Sequence, residues 1–99
     1  MAEFRLTNKA VEDLNEIWNY TCDNWSEEQA DRYYHMLLGL CEEIAQHPEI
    51  GKNYDEIAAQ LRGLKASRHI VFYRIIETDF IEITRFLHGQ MDLKNRIAE

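Results

Sequence analysis

The side chains able to do chemistry in this chain are four histidines, two cysteines and a group of arginines and lysines late in the sequence. His69 and His88 fall at the ends of expected strands near several arginines, while His35 and His47 lie on or beside an expected helix. Imidazole titrates near neutrality, so a histidine among arginines could act as general acid or base on a phosphodiester. The plainer role is a hydrogen bond to backbone at a sheet end, and that is the expectation for His69 and His88. No glycine-rich phosphate loop, nucleophile elbow or His-Glu-x-x-His zinc motif occurs. Cys22, Cys41 and the histidines lack the pairwise spacing of metal ligands. Cys41 falls on an apolar stripe and is expected in the core. The sequence predicts no catalytic residue, no metal and no cofactor.

What surrounds these residues narrows the class. Two cysteines fit a reducing compartment and exclude a disulfide scaffold. The opening Met1-Ala2-Glu3-Phe4-Arg5 lacks the basic-then-apolar layout of a signal peptide, and no apolar run is long enough to span a bilayer. A cytoplasmic protein without membrane contact is expected. Ninety-nine residues, 45% hydrophobic and 29% charged, predict one soluble domain over 1–99. The net charge of -7 is unevenly spread. Residues 1–60 hold thirteen acids and four bases; residues 61–99 hold five acids and seven bases, Arg62, Lys65, Arg68, Arg74, Arg85, Lys94 and Arg96. A generic nucleic-acid binder would be basic throughout, so no direct sequence-specific nucleic-acid contact is expected. A basic face on an acidic chain suits a specific acidic partner, or it is a solvated face with incidental arginines.

The elements that must position these residues follow from periodicity. Glu3-Phe4-Arg5-Leu6-Thr7 alternates polar and apolar, as a short half-buried strand does. Thr7 or Asn8 can cap a helix over about 9–22, with Glu12 and Asp13 favouring its N-terminal turns. Ala10, Leu14, Ile17, Trp18 and Thr21 form its buried face. Ser26-Glu27-Glu28-Gln29 has the form of a capping box. The helix it opens carries Ala30, Tyr33, Tyr34, Leu37, Leu40, Cys41, Ile44 and Ala45 and stops at His47-Pro48. Strands are predicted near 61–67, 69–77 and 80–87, with Glu77-Thr78-Asp79 as a hairpin turn and a short helical turn after Gly89. The order β-α-α-β-β-β makes an α+β domain, its helical hairpin packed on one face of an antiparallel sheet.

Trp18, Tyr20, Trp25, Tyr33 and Tyr34 crowd that hairpin. A core this small cannot hide all of them together with Phe72, Tyr73, Phe80 and Phe86. Some should stay at the surface, as exposed aromatics do in a partner groove.

Read as a whole, the sequence resembles the ParE toxins of type II toxin–antitoxin pairs, within the wider RelE/ParE superfamily. The resemblance begins with Phe4-x-Leu6-Thr7-x-x-Ala10-x-x-Asp13-Leu14-x-Glu16-Ile17-Trp18-x-Tyr20-Thr21 and continues in Trp25-Ser26-x-x-Gln29-Ala30-Asp31-x-Tyr33-Tyr34. It runs on through Leu61-Arg62 and Arg68-His69-x-Val71-Phe72-Tyr73-Arg74 to Ile81-x-Ile83-x-Arg85-Phe86-Leu87-His88-x-x-Met91-Asp92.

The resemblance implies a bacterial toxin that inhibits DNA gyrase and is neutralised by a ParD-like antitoxin. The RelE branch instead cleaves mRNA on the ribosome, and its third strand commonly reads Arg-Leu-Val-Tyr. Aligned on Tyr73, this chain has Ile70 where that arginine would stand. Its last strand ends Arg85-Phe86-Leu87-His88, with histidine in place of the terminal tyrosine. A cleavage site so altered should lose orders of magnitude in rate. A non-enzymatic inhibitor is therefore implied, with a RelE-type endonuclease and a decayed, non-toxic interaction domain as alternatives. The gyrase-facing surface is expected at Arg85, His88, Met91, Asp92 and Arg96. Antitoxin binding is expected at Trp18, Tyr33, Leu37, Arg68, Arg74 and Arg85. Arg85 has a competing role, an ion pair inside the fold with an acid such as Asp92.

Overall fold

The computed structural model describes residues 2–98; Met1 and Glu99, the two ends of the stretch read as one domain, lie outside the described residues. Strand β1 (Glu3–Leu6) leads into helix α1 (Asn8–Asn24). Thr7 is the cap: its hydroxyl oxygen accepts from the Ala10 N–H at 3.1 Å and the hydroxyl donates to the Thr84 carbonyl at 2.8 Å. One side chain thus both starts the helix and ties it to the last strand. Ser26 caps α2 (Glu27–Gln46) by accepting from the Gln29 N–H at 3.0 Å. A 3₁₀ turn at Pro48–Ile50 follows, then β2 (Lys52–Asn53), β3 (Arg62–Ala66), β4 (His69–Glu77), β5 (Phe80–His88) and helix α3 (Leu93–Ala98).

The strands form one sheet in the order β1-β5-β4-β3-β2. The α+β fold with an N-terminal helical hairpin is as the periodicity predicts. Two details of the sheet go beyond it. β1 joins β5 in parallel, with Glu3 opposite Phe80 and Leu6 opposite Ile83; the helices carry the chain from β1 to β2 at the opposite edge, and the antiparallel run β2–β5 brings it back beside β1. The segment between Pro48 and residue 61, where periodicity predicts no strand, contributes β2, whose two residues pair with Arg62 and Gly63 of β3 and are too few to show alternation.

The helices cover one face of the sheet. Leu37, Cys41, Ile44, Val71, Tyr73, Ile81, Ile83 and Phe86 are buried there. Burial pushes the Cys41 thiol up to about 12, so it stays protonated and packs as a small hydrophobe. The opposite face is covered as well. Leu61, Ile70, Phe72 and Leu87 lie beneath Tyr54, Ile57 and Ala58 of the β2–β3 connection and Leu93 and Ile97 of α3. A strand buried on both faces loses its alternation, which is why Ile70-Val71-Phe72-Tyr73 is a continuous apolar run. The Tyr73 hydroxyl donates to the Pro48 carbonyl and accepts from the Gly51 N–H at 2.9 Å. Gly51 has no room for a side chain, since a Cβ there would collide with that hydroxyl.

The β4–β5 ladder shifts register between Phe72, opposite Arg85, and Tyr73, opposite Ile83. Thr84 is the extra residue of the resulting bulge, and side chains beyond it change faces. Ile81, Ile83 and Phe86 therefore point to the helices, while Leu87 joins the other layer. The simple row of Ile81, Ile83, Arg85 and Leu87 that alternation predicts is broken at this point. Among the described residues no helix is long and apolar enough to cross a membrane.

Candidate functional site

β1 covers the outer edge of β5 only as far as Ile83. From Thr84 to His88 that edge has no neighbouring strand among the described residues, and α1 lies beside it. The Phe86 N–H points away from β4 and donates to Asp13 Oδ2 at 3.1 Å. Arg85 closes on the same carboxylate with two parallel bonds, Nε to Oδ2 at 2.7 Å and Nη2 to Oδ1 at 2.9 Å. Its Nη1 donates to the Arg96 carbonyl of α3 at 2.6 Å. Both side chains of the pair are only 9% exposed. A planar fork on a carboxylate is the geometry that fixes a guanidinium best.

Outside this joint lies a groove of about 750 Å³ between the end of the hairpin and the tail. Tyr20 and Trp25, 62% and 60% exposed, stand on its helical wall with Glu16 and Gln29. His88, Met91 and Arg96 form the wall on the tail side. The two-residue turn Ser67–Arg68 joins β3 to β4, with Ser67 at a left-handed φ of 56°, and sets the exposed Arg68 at the rim.

A small polar cluster floors the groove. The Tyr33 hydroxyl and His69 Nδ1 lie 2.7 Å apart, and the His69 and His88 rings meet edge-on with centroids 5.5 Å apart. Burial pushes the His69 imidazole down to about 4, helped by the neighbouring His88 ring and the Arg68 guanidinium. It is therefore neutral at pH 7. Burial likewise raises the Tyr33 hydroxyl above its ordinary value. His88 accepts the Gln90 N–H on Nδ1 at 3.2 Å, the backbone role expected of it, whereas His69 takes the Tyr33 hydroxyl instead. No group of three or more histidines, cysteines or acids that could hold a metal occurs among the described residues.

The structure brings some of the sequence-derived site residues together and disperses others. Arg85, His88, Met91 and Arg96 line the groove, and so do Tyr33 and Arg68. Asp92 stands beside it just before α3, accepting from Asn95 Nδ2 at 2.6 Å and from the Asn95 backbone N–H at 3.5 Å. Arg85 does not pair with Asp92; Asp13 takes that place because α1 crosses the open edge. Leu37 is 0% exposed under the sheet, so it cannot touch a partner. Trp18 is half-buried and donates to Asp31 at 2.9 Å away from the groove. Arg74 donates to the Ala59 carbonyl at 3.2 Å, on the opposite face of the sheet. The residue missed altogether is Asp13, read as an acid near a helix start but in fact buried. Its signal was an acid within the apolar stripe Ala10-Leu14-Ile17.

Comparison with known proteins bears on what such a groove is for. The family model for the ParE toxin of the type II toxin–antitoxin system parDE matches residues 4–93. A protein named Toxin ParE1 from Caulobacter vibrioides is 36% identical over 98 residues, covering 99% of this chain and 100% of its own length. A Toxin ParE1 from Mycobacterium tuberculosis is 34% identical over 96 residues, covering 97% and 98% respectively. A solved structure described as a chromosomal ParDE TA system from P. aeruginosa matches with a TM-score of 0.76 at 19% identity. That match covers 89% of this chain and 96% of the solved one, and it speaks for the fold.

Proposed function

The chain belongs to the ParE toxin family of type II toxin–antitoxin systems, and from that premise we propose that it inhibits DNA gyrase in the cytoplasm and is silenced by a ParD-like antitoxin lying in the groove beside β5. One observation carries this reading: half of the β5 edge lacks a neighbouring strand and opens onto exposed aromatic rings. An antitoxin tail with apolar side chains would cover Tyr20 and Trp25, and its acidic residues would meet Arg68. An extended part of the tail can pair its backbone with β5. The gyrase-facing surface is the other wall of the same groove, His88, Met91 and Arg96, with Asp92 alongside. Antitoxin and target then compete for one place.

Action by binding rather than by bond cleavage agrees with the state of the polar cluster. His69 is bonded to Tyr33, and Ile70 is buried in the layer under α3 and is not among the residues lining the groove, so no arginine stands at that position to hold a phosphate. The test has two arms. Purified protein should stabilise gyrase–DNA cleavage complexes, and added antitoxin should reverse this. Trp25→Ala should weaken antitoxin binding about tenfold or more, as loss of an aromatic anchor does. Normal gyrase supercoiling in the presence of the protein would sink the reading.

The Tyr33–His69–His88 cluster favours a second reading, ribosome-dependent mRNA cleavage of the RelE type. Primer extension on mRNA from a cell-free translation reaction detects such cuts. Their absence is the expected result.

A further inference from the structure

We propose that Asp13 is a positioning residue that couples occupation of the groove to the placement of α3; this rests on the reading of the groove as the antitoxin's seat. The Asp13 carboxylate is a joint for three elements. It sits on α1, accepts from the Phe86 N–H of β5, and grips Arg85 through Nε and Nη2. Those two bonds fix the plane of the guanidinium and thereby aim Nη1 at the Arg96 carbonyl of α3. With six residues, α3 is far too short to hold its own conformation. Leu93 and Ile97 against the second core layer, the Asp92 carboxylate on Asn95, and the Arg85 bond all help to hold it in place.

A strand that extends the sheet past Ile83 must offer a carbonyl oxygen to the Phe86 N–H. That donor is occupied by Asp13 Oδ2, the same atom that accepts from Arg85 Nε. Seating the strand therefore displaces the carboxylate and opens the fork, so Nη1 loses its aim. An antitoxin segment on this edge loosens the tail as well as covering it.

Hydrogen exchange on the full chain tests the coupling. In Asp13→Asn the side chain keeps its shape but loses its charge and one acceptor. Amides of residues 93–98 should then exchange about tenfold faster, the effect of one lost charge-assisted hydrogen bond, while those of β4 stay within about twofold. Arg85→Lys keeps the charge and lacks the fork, so it should act alike and serves should Asp13→Asn fold poorly. A synthetic peptide of the cognate antitoxin's C-terminal tail, added to the unaltered chain, should also speed exchange in 93–98. Equal acceleration of β4 and α3 in both variants would make Asp13 a general stabiliser and overturn the proposal. So would slower α3 exchange with the peptide bound. A peptide that binds elsewhere, leaving the groove amides untouched, refutes the seating of the antitoxin instead; the two variants still decide the role of Asp13.

Discussion

The two halves of the outer edge of β5 are closed by different means. Along Phe80–Ile83 a strand does it: β1 lies in parallel register. Along Thr84–His88 the Thr7 hydroxyl donates to the Thr84 carbonyl, one carboxylate from α1 takes the Phe86 N–H and a neighbouring guanidinium, and Arg85–His88 line the groove. A strand satisfies every backbone group it covers and leaves nothing for a partner. A carboxylate satisfies one N–H and can be exchanged for another acceptor. The first half serves the fold; under the proposed function, the second keeps a binding edge in reserve without exposing it fully.

The sharpest way to break this contrast is to remove the joint. Arg85→Ala leaves the Asp13 carboxylate buried without its cation, a loss of about 3–5 kcal/mol. The melting temperature should fall by about 12 °C or more. A melt unchanged within a few degrees would mean that the uncovered half does not need its ion pair.

Next comes the covered half. Ile83 is fully buried under the helices, so Ile83→Val should cost about 0.5–1.5 kcal/mol while leaving antitoxin affinity as it was. A fall in affinity greater than the fall in stability would show that the two halves are not independent.

Acid separates the regions in another way. His69 has a folded value of about 4 against 6.5 in the unfolded chain, so between those limits the unfolded state binds more protons. Stability is therefore lost as the pH falls from about 6.5 towards 4. His69→Gln should flatten that limb of the pH–stability curve, and a limb of unaltered slope would assign the effect to other groups.

The smallest effect belongs to the covered half's surface. Arg5 and Glu82 pair at 2.7 Å across β1 and β5, with the arginine side chain 59% exposed. Arg5→Ala should shift stability by less than about 1 kcal/mol. A larger loss would mean that β1 is held by charge as much as by its ladder.

The primary sequence by itself determined the parts of this protein that repeat at short range. The periods of α1 and α2, a cap at Thr7 or Asn8 and one at Ser26, the stop at Pro48 and the three consecutive strands were legible because their causes lie within a few residues of one another. Tertiary structure alone decided the rest. The covering of the second sheet face by α3 and the β2–β3 connection leaves only short, irregular patterns in the chain. The bulge at Thr84 reverses the faces that alternation would assign to Arg85 and Leu87. Arg85 therefore leaves the apolar row that alternation would place it in. Leu37 and Arg74 were grouped with groove residues because their own periodicity does not show which layer covers them: Leu37 is buried under the sheet and Arg74 lies on its other face. Asp13 and Arg85 stand 72 positions apart, and nothing near either one marks the other as its partner. Their pairing arises only when α1 is laid across an edge that β1 is too short to close.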